Sequence, residues 1–512
     1  MLEGILIGVA TAFSPTNIML AFAGCFSGTI IGMLPGLGPI AAIALLIPVT
    51  YGLEPASAMI LLAGVYYGAV FGGSTSAILI NAPGIAGVVA TAFDGYPMAK
   101  AGMAGKALAI AAISSFAGGT IAAVFLLLAA PSLVQVALSF QSAEYFALMV
   151  FGLIAVAAFA GRGEVLKALL ATFVGLALAT VGLDSTVAIE RFTFGVIDLT
   201  DGISFLLLAM ACFALSEVLI SVLRSGARPR DDRAADVSNL GSLRLSGAEL
   251  RNMAPPIARS SVIGFFVGVL PGAGATIASF LGYGLEQRLA GKREAAKFGK
   301  GSIRGLAAPE AANNAAASGS FVPLLTLGIP GSATGAVLLG ALISYGVRPG
   351  PRLAVETPEV FWSVIVSMYV GNMFLLILNL PLIPYIARLL MIPRPILLPL
   401  IAFFSLIGVY FVSFNTFDIH LLVLFAVCAV GLRLLDFPLA PLLLGFILGG
   451  PLEENLRRAL VISADSFAFL WERPLTLGIL IAAALFLFAP AFGPLLTARL
   501  RRLGLWKGGE SR

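Results

Sequence analysis

The sequence predicts an all-α polytopic integral membrane protein, with about 10–12 transmembrane helices in two homologous, inverted repeats that contain broken or re-entrant glycine-rich helices. Three observations lead to this fold class: the composition, the long uncharged stretches and an internal repeat. Of the 512 residues, 59% are hydrophobic and 11% are charged, whereas a soluble domain has roughly 25% charged residues. So few charged side chains cannot cover the surface of a soluble protein of this length.

Long stretches without any charged residue divide the chain. A membrane-spanning helix needs about 20 apolar residues, so each stretch can hold one span and the longest can hold two. The uncharged stretches are 4–53, 55–93, 107–143, 311–347, 360–387, 395–417 and 474–498. The sequence therefore predicts a multi-pass protein embedded in a lipid bilayer.

An internal repeat relates the two halves of the chain. Residues 28–38 read GTIIGMLPGLG and residues 264–274 read GFFVGVLPGAG, with six of eleven positions identical. A second pair follows in the same order: Gly73-Ser74 and Ala82-Pro83-Gly84 in the first half, Gly319-Ser320 and Ile329-Pro330-Gly331 in the second. We predict a first membrane repeat (1–223), a polar cytoplasmic linker (224–259), a second membrane repeat (260–458) and an additional C-terminal span with a basic tail (459–512).

The basic residues indicate the topology of the repeats. The linker 224–259 and the segment 286–304 are rich in Lys and Arg, which favours the cytoplasmic side for both. The apolar segment 260–285 lies between them and is interrupted by Leu-Pro-Gly-Ala-Gly, so a hairpin that enters the membrane and returns satisfies both flanks. Because the span 475–497 has no counterpart in the first half and leads to a basic tail, the repeats are predicted to be inverted.

The two glycine-rich breaks are the first candidate binding elements. A break in a membrane helix exposes backbone N–H groups, which attract anions, and C=O groups, which bind cations. The alternative is a kink at which small residues let two helices pack closely. Because the motif recurs in both repeats, we predict a substrate-binding role for Pro35, Gly36, Gly38, Pro271, Gly272 and Gly274.

Two runs of small polar residues are the second candidate. Hydroxyl and amide groups can bind a carboxylate without a fixed charge, which suits a site that must also release its ligand. The alternative is hydrogen bonding between helices. The predicted substrate-binding residues are Gly73, Ser74, Thr75, Ser76, Asn81, Pro83 and Gly84 in the first run and Asn313, Asn314, Ser318, Ser320, Thr326, Pro330 and Gly331 in the second.

Glu310 is the candidate residue for ion coupling. It stands beside Asn313 and Asn314 in an otherwise uncharged neighbourhood, and an ionisable group at membrane depth is a functional hypothesis. The alternative places Glu310 in a loop near Arg304. We predict neither an enzyme nor a metal site or cofactor, because the single histidine, His420, is interpreted as structural and the three cysteines lack metal-ligand spacing. The net charge of +5 does not indicate nucleic-acid binding, since the basic residues lie in short loops.

Longer sequence motifs resemble one transporter family. They are GMLPGLGPIAAIALLIPVTYGLEPASAMILLAGVYYGAVFGGSTSAILINAPG (32–84), GVLPGAGATIASFLGYGLEQ (268–287) and APEAANNAAASGSFVPLLTLGIPGS (308–332). These stretches resemble the large membrane subunit of the tripartite tricarboxylate transporters, the TctA family, and the resemblance extends over nearly the whole chain.

The resemblance implies a function and partners. It implies a permease in the bacterial inner membrane that works with a small four-span membrane subunit and a periplasmic solute-binding protein. The binding protein would deliver a carboxylate such as a tricarboxylate or dicarboxylate. A gradient of Na⁺ or H⁺ would drive import, without ATP.

Three other functions are compatible with part of the pattern. The first is a stand-alone secondary carboxylate permease, which would transport without a binding protein. The second is an intramembrane enzyme, which would need a nucleophile with a base or a metal site at depth. The third is a channel, whose flux would not depend on a cation gradient.

Overall fold

The fold was obtained as a computed structural model of the chain, and it describes residues 2–34, 37–158, 164–184, 187–224, 240–272, 274–391 and 394–502. The described residues are almost entirely helical. They form two compact units: Met1–Ser139 with Val181–Asp436, and Phe140–Thr180 with Phe437–Arg512.

The helices follow one another along the chain with short connections. The first twelve are α1 (Leu2–Ala12), α2 (Pro15–Met33), α3 (Gly38–Leu46), α4 (Pro55–Ile80), α5 (Val89–Met98), α6 (Ala104–Leu138), α7 (Ser142–Ala158), α8 (Val165–Ala179), α9 (Phe205–Ala209), α10 (Ser216–Arg224), α11 (Gly247–Val269) and α12 (Gly274–Leu289). The others are α13 (Lys292–Ala295), α14 (Ile303–Gly319), α15 (Phe321–Leu327), α16 (Ala333–Ser344), α17 (Leu353–Glu356), α18 (Pro358–Asn379), α19 (Ile383–Ile386), α20 (Arg394–Ser413), α21 (Thr416–Leu434), α22 (Leu439–Ile462), α23 (Phe469–Glu472) and α24 (Pro474–Arg502).

Shorter elements join these helices. The strands β1 (Gly182–Leu183) and β2 (Glu190–Arg191) form an antiparallel pair in which Gly182 lies opposite Arg191. Single turns of 3-10 helix cover Ile47–Thr50, Ala86–Val88, Ile197–Leu199 and Ala387–Met391, and π-helical turns cover Ala99–Met103 and Met210–Leu215.

Seven helical segments in the described part of the chain are long and apolar enough to cross a membrane. They are Pro15–Met33, Pro55–Ile80, Ala86–Leu138, Phe205–Leu223, Pro358–Asn379, Pro395–Ser413 and Thr416–Leu434. Shorter apolar helices of 10–17 residues accompany them. The predicted class, an all-α polytopic membrane protein, is therefore confirmed.

The second unit is held together by close helix packing and a buried ion pair. Gly175 of α8 lies so close to the backbone of Leu442 in α22 that a Cβ atom would collide with it. The buried Glu144 of α7 pairs with Arg473 at 2.8 Å and accepts a hydrogen bond from Thr476 Oγ1 at 2.9 Å. The contacts of Glu144 hold the start of α24 against α7.

In the first unit, α2 and α4 pack through small residues and run in the same direction. Glycines four residues apart on α2 face residues four apart on α4, and the residue numbers rise together on both helices. The facing pairs are Gly24 with Leu61, Gly28 with Val65 and Gly32 with Ala69. Two helices in one chain can run in the same direction only if the chain between them returns, and α3 with Ile47–Thr50 makes this return. α2 and α3 therefore form a hairpin at the first predicted break.

α11 and α14 repeat this arrangement in the second half. Gly264 faces Ala312 and Gly268 faces Ala316, so these two helices also run in the same direction. α12 provides the return, and α11 and α12 form a second hairpin whose turn lies at the second predicted break. The first hairpin and α4 thus have a counterpart in the second hairpin and α14.

The equivalent helices α4 and α14 pack against each other in opposite directions. Ser74, late in α4, donates a hydrogen bond to Glu310, which lies early in α14. Tyr67, earlier in α4, packs on Phe321, which follows the end of α14, with ring centroids 5.7 Å apart. Because equivalent helices run antiparallel, the two repeats are inverted with respect to each other.

α11 begins within the segment that the sequence analysis places in the polar linker. Ser246 and Glu249 form a capping box, in which Ser246 Oγ accepts from the Glu249 N–H and Glu249 accepts from the Ser246 N–H at 2.8 Å. Lys106 also contacts Glu249, at 2.7 Å. Residues 225–239 of the predicted linker lie outside the described residues, and the predicted region boundaries stay predictions.

Candidate substrate and ion site

The first broken element follows α4. Asn81 ends the helix in the left-handed conformation, with φ of 50°, which asparagine tolerates better than most residues. The chain then runs through Pro83 and Gly84 before helix resumes. Gly84 lies directly against the backbone carbonyl of Gly32 and against the Cα of Gly73, so a side chain at Gly84 would push these segments apart.

The second broken element has the same geometry. Gly328 ends α15 in the left-handed conformation, with φ of 71°. A Cβ on Gly331 would lie 2.9 Å from the Gly268 carbonyl oxygen and 3.0 Å from the Ser320 Cα. Since Gly331 packs on Ser320 as Gly84 packs on Gly73, the structure pairs Gly73 with Ser320. The repeated sequence motif instead pairs Gly73 with Gly319, one residue away.

The hairpin turns lie against these broken elements. Gly38 and Gly274 begin the return helices with the same φ of 60°, a conformation open to glycine at no steric cost. In the second turn, Pro271 precedes Gly272, whose N–H donates to the Gly331 carbonyl at 3.1 Å. The predicted residues Pro35 and Gly36 lie outside the described residues.

The two repeats meet where the first broken element touches the second hairpin. A Cβ on Gly87 would lie 3.1 Å from the Ala275 side chain, at the N-terminus of α12. α16 likewise packs near α3. The return helix α12 therefore begins beside the broken element of the first repeat, where its N-terminal dipole favours an anion.

Polar side chains cross between the repeats at this junction. Asn313 donates from Nδ2 to the Gly87 carbonyl at 3.4 Å and accepts from Asn314 at 2.6 Å. Tyr66 Oη lies 3.4 Å from Ser332 Oγ, which also caps α16 by accepting from the Gly335 N–H. Sequence reasoning missed Tyr66 and Ser332.

Glu310 is completely buried in α14, so it does not lie in a loop near Arg304. Its carboxylate accepts three hydrogen bonds from hydroxyl groups. The donors are Ser74 of α4 at 2.9 Å, Thr91 of α5, and Ser115 of α6 at 2.7 Å. Thr91 and Ser115 were not predicted, because small hydroxyl residues of this kind are common in apolar membrane segments.

A small cavity lies beside the carboxylate. Ser74 and Ser115 line it together with Thr75 and Asn379, and it has space for about one water molecule. The Oδ1 atom of Asn379 is buried and has no hydrogen-bond partner among the described residues. Four of the eight lining residues are polar, and two of these, Ser74 and Ser115, donate to Glu310.

The remaining predicted residues are buried, and of these Ser320 and Pro330 lie between helices. Three of them donate to carbonyls of their own helical segments: Ser76 to Gly73, Ser320 to Ala317 and Thr326 to Val322. This is the ordinary bonding of Ser and Thr in membrane helices. Ser318 is also buried in α14. These contacts satisfy the hydroxyls locally and do not link them to Glu310.

An ion pair joins α11 and α12 at the end of the second hairpin that lies away from its turn; this end is called the base of the hairpin. Arg259 of α11 binds both carboxylate oxygens of the buried Glu286 of α12, at 2.6 and 2.8 Å. Arg304 lies 3.9 Å from the same carboxylate. In the described ranges no three His, Cys, Asp or Glu side chains come together as they would in a metal site.

Inverted repeats, paired hairpins and broken helices around a polar junction define a multi-pass membrane protein of the kind that transports solutes. A family model described as the tripartite tricarboxylate transporter TctA family matches residues 18–444. The chain belongs to this family, and the resemblance found in the sequence is confirmed.

Two relatives from Agrobacterium vitis support this assignment. A 52.8 kDa protein of the TAR-I ttuC' 3' region is 44% identical over 470 residues, which cover 92% of each chain. A protein of the TAR-II ttuC' 3' region is 44% identical over 217 residues, 42% of this chain and 89% of the relative. No solved structure matches the chain.

Proposed function

We propose that the chain is the large permease subunit of a secondary importer that moves a tricarboxylate-like or dicarboxylate-like solute across the bacterial inner membrane. A periplasmic solute-binding protein would deliver the solute, a small four-span membrane subunit would complete the complex, and a cation gradient would drive import. The observation that carries this proposal is the junction at Gly87 and Ala275, where a broken element of one repeat meets the hairpin of the other.

A carboxylate fits the chemistry of this junction. The N-terminus of α12 brings backbone N–H groups toward it, and their partial positive charge favours an anion. Asn313 supplies a neutral polar group at this junction, and Tyr66 and Ser332 supply others where α4 meets the second broken element. A site without a buried Lys or Arg binds an anion moderately, and the solute can therefore leave on the other side.

Glu310 is proposed to couple solute movement to the ion gradient. It belongs to the second repeat, yet its three hydroxyl donors belong to helices of the first. A change in its charge therefore alters how the two repeats attract each other. Alternating access would follow if the hairpins shift relative to the surrounding helices when the ion and the solute bind.

Uptake into proteoliposomes tests the proposal. Radiolabelled citrate and a panel of di- and tricarboxylates are offered to vesicles that contain the chain alone, with the small subunit, or with both partners, under an imposed Na⁺ or H⁺ gradient. We expect accumulation only with all components and a gradient. Uptake by the chain alone would establish a stand-alone permease, and flux without a gradient would establish a channel.

A further inference from the structure

The Glu310 carboxylate is surrounded by hydroxyl groups and not by cations. In the part of the chain that the structure describes, no Lys or Arg pairs with it, and its contacts are the hydroxyls of Ser74, Thr91 and Ser115 together with the amide of Asn313. An isolated buried charge is costly unless it is fully hydrogen-bonded or neutralised. Three hydroxyl donors satisfy the ionised form.

The neutral acid finds partners at the same position. Ser74 Oγ lies 2.9 Å from Glu310 Oε2 and 3.3 Å from the backbone carbonyl of Val70. When a proton forms an O–H bond at Oε2, this group can donate to Ser74 Oγ, while the Ser74 hydroxyl turns to Val70. A hydroxyl both donates and accepts, so rotation of one bond converts the cluster between the two protonation states.

A sodium ion does not fit this arrangement equally well. The Ser74 and Ser115 oxygens lie at 2.9 and 2.7 Å from the carboxylate, which is direct hydrogen-bond contact. An ion held by the carboxylate would have to enter between these oxygens and turn every hydroxyl proton away. A proton needs no space between these oxygens, and it requires only the Ser74 hydroxyl to turn.

We propose that Glu310 is a proton-binding site and that the ion coupled through it is H⁺ and not Na⁺. This inference rests on the proposed function only in calling the proton a coupling ion. The proton would be exchanged at the cavity that Ser74, Thr75, Ser115 and Asn379 line, because Ser74 and Ser115 contact Oε2 directly. A water molecule there that has taken up a proton from solvent would pass one on to Oε2 through the Ser115 hydroxyl and remain as neutral water, and the reverse transfer would return the proton when the O–H bond breaks.

Other titratable and charged groups on the helices around α14 lie apart from the carboxylate. Asp94 accepts from the N–H groups of Gly301 and Ser302 at the start of α14, more than one turn before Glu310. The hydrogen bond from Lys106, and after it those from Ser246, lower the pKa of Glu249 to about 2, so Glu249 stays ionised at neutral pH. The titratable and charged groups on α4, α5, α6, α11, α12 and α14 are Tyr66, Tyr67, Asp94, Tyr96, Lys106, Glu249, Arg251, Arg259, Tyr283, Glu286, Arg288 and Arg304.

Infrared difference spectroscopy tests the proposal without knowledge of the solute. Spectra of the purified full chain are recorded between about pH 5 and 9, in sodium chloride and in choline chloride. We expect a carboxylic-acid C=O band that titrates identically in both salts and is absent from Glu310→Gln. We also expect Ser115→Ala to move its midpoint by about one to two pH units towards higher pH, since one donor to the ionised form is lost.

Ser114→Ala is the matched control for Ser115→Ala. Ser114 is buried in the same helix, but its hydroxyl has no hydrogen-bond partner among the described residues, so this variant should leave the midpoint unchanged. Comparison of the two serine variants needs no Glu310 variant and holds even if Glu310→Gln fails to fold.

Three results would overturn the proton site: a carboxylate that stays ionised throughout, a midpoint that moves with sodium concentration, or equal shifts in both serine variants. Failure of solute uptake with an intact titration would instead overturn the proposed function alone.

Discussion

Tyr66 and Asn313 occupy equivalent positions in the two repeats, and each reaches into the broken element of the other repeat. Tyr66 follows Val65, which faces Gly28, and Asn313 follows Ala312, which faces Gly264. Tyr66 Oη lies beside Ser332 in the second repeat, whereas Asn313 Nδ2 lies beside the Gly87 carbonyl in the first. The two positions are thus equivalent in backbone and different in side-chain chemistry.

Replacement of Tyr66 by phenylalanine removes the hydroxyl and keeps the aromatic packing on Phe321. If Tyr66 positions the solute, we expect KM to rise about 2- to 10-fold, the effect of one neutral hydrogen bond, with little change in kcat. The measurement is initial uptake rate against concentration, for the carboxylate that gives the highest uptake in the panel.

Tyr67→Phe provides the control for this prediction. Tyr67 is the neighbouring buried tyrosine and also packs on Phe321, but its hydroxyl has no hydrogen-bond partner among the described residues. Equal effects of the two substitutions would show that Tyr66 acts only through packing.

The hairpins could be predicted from the sequence because their signal is local. Pro271 and Gly272 interrupt an apolar stretch between two basic flanks, and both residue types disfavour a continuous helix. The start of α11 was less visible, since its first three turns are polar and resemble a linker. Only the capping box of Ser246 and Glu249 indicates a helix there.

The polar cluster around Glu310 could be predicted only in part. Glu310 stands out as a charge in an apolar region, but Thr91 and Ser115 are ordinary residues of membrane helices until the fold brings them to it. Tyr66 was not predicted as a site residue for another reason. Its counterpart, Asn313, has a different chemistry, and the two align only after the one-residue shift that pairs Gly73 with Ser320.

The glycines between the helices of each repeat are expected to tolerate no side chain. At Gly264 a Cβ would collide with the backbone of Ala312, and overpacking of this kind costs about 1–3 kcal/mol. We therefore expect Gly264→Ala to lower the unfolding temperature, as followed by the fluorescence of the three tryptophans during heating in detergent.

Gly284→Ala is the control for Gly264→Ala. Gly284 also lies within a helix, α12, but a Cβ there would meet nothing within 4 Å. Because alanine favours helix over glycine by about 1 kcal/mol, Gly284→Ala should preserve or raise the unfolding temperature. A loss of stability as large as that of Gly264→Ala would contradict the packing argument.

The inverted arrangement predicts on which side of the membrane two exposed positions lie. Tyr51 precedes α4 and Gly291 precedes α14, and these two helices run antiparallel. Cysteines introduced at Tyr51 and Gly291 should therefore react with an impermeant maleimide from opposite sides of oriented vesicles. The background is Cys428→Ala, because Cys25 and Cys212 are buried and Cys428 is exposed. Labelling of both positions from one side would contradict the inverted arrangement.

The ion pair at the base of the second hairpin is expected to matter more than a surface pair. Glu286 is completely buried and Arg259 binds both of its oxygens. Arg259→Ala therefore leaves a buried carboxylate whose remaining cationic neighbour, Arg304, lies 3.9 Å away. Loss of one partner of such a pair costs about 3 kcal/mol, and the unfolding temperature in detergent should fall accordingly.

Lys297→Ala, which breaks the more exposed pair with Glu294, should change stability by less than about 1 kcal/mol. The double variant Arg259→Leu with Glu286→Leu should recover part of the stability lost in Arg259→Ala, because the completely buried Glu286 carboxylate is then absent. If the double variant is less stable than Arg259→Ala, the buried charge is not the cause of the loss.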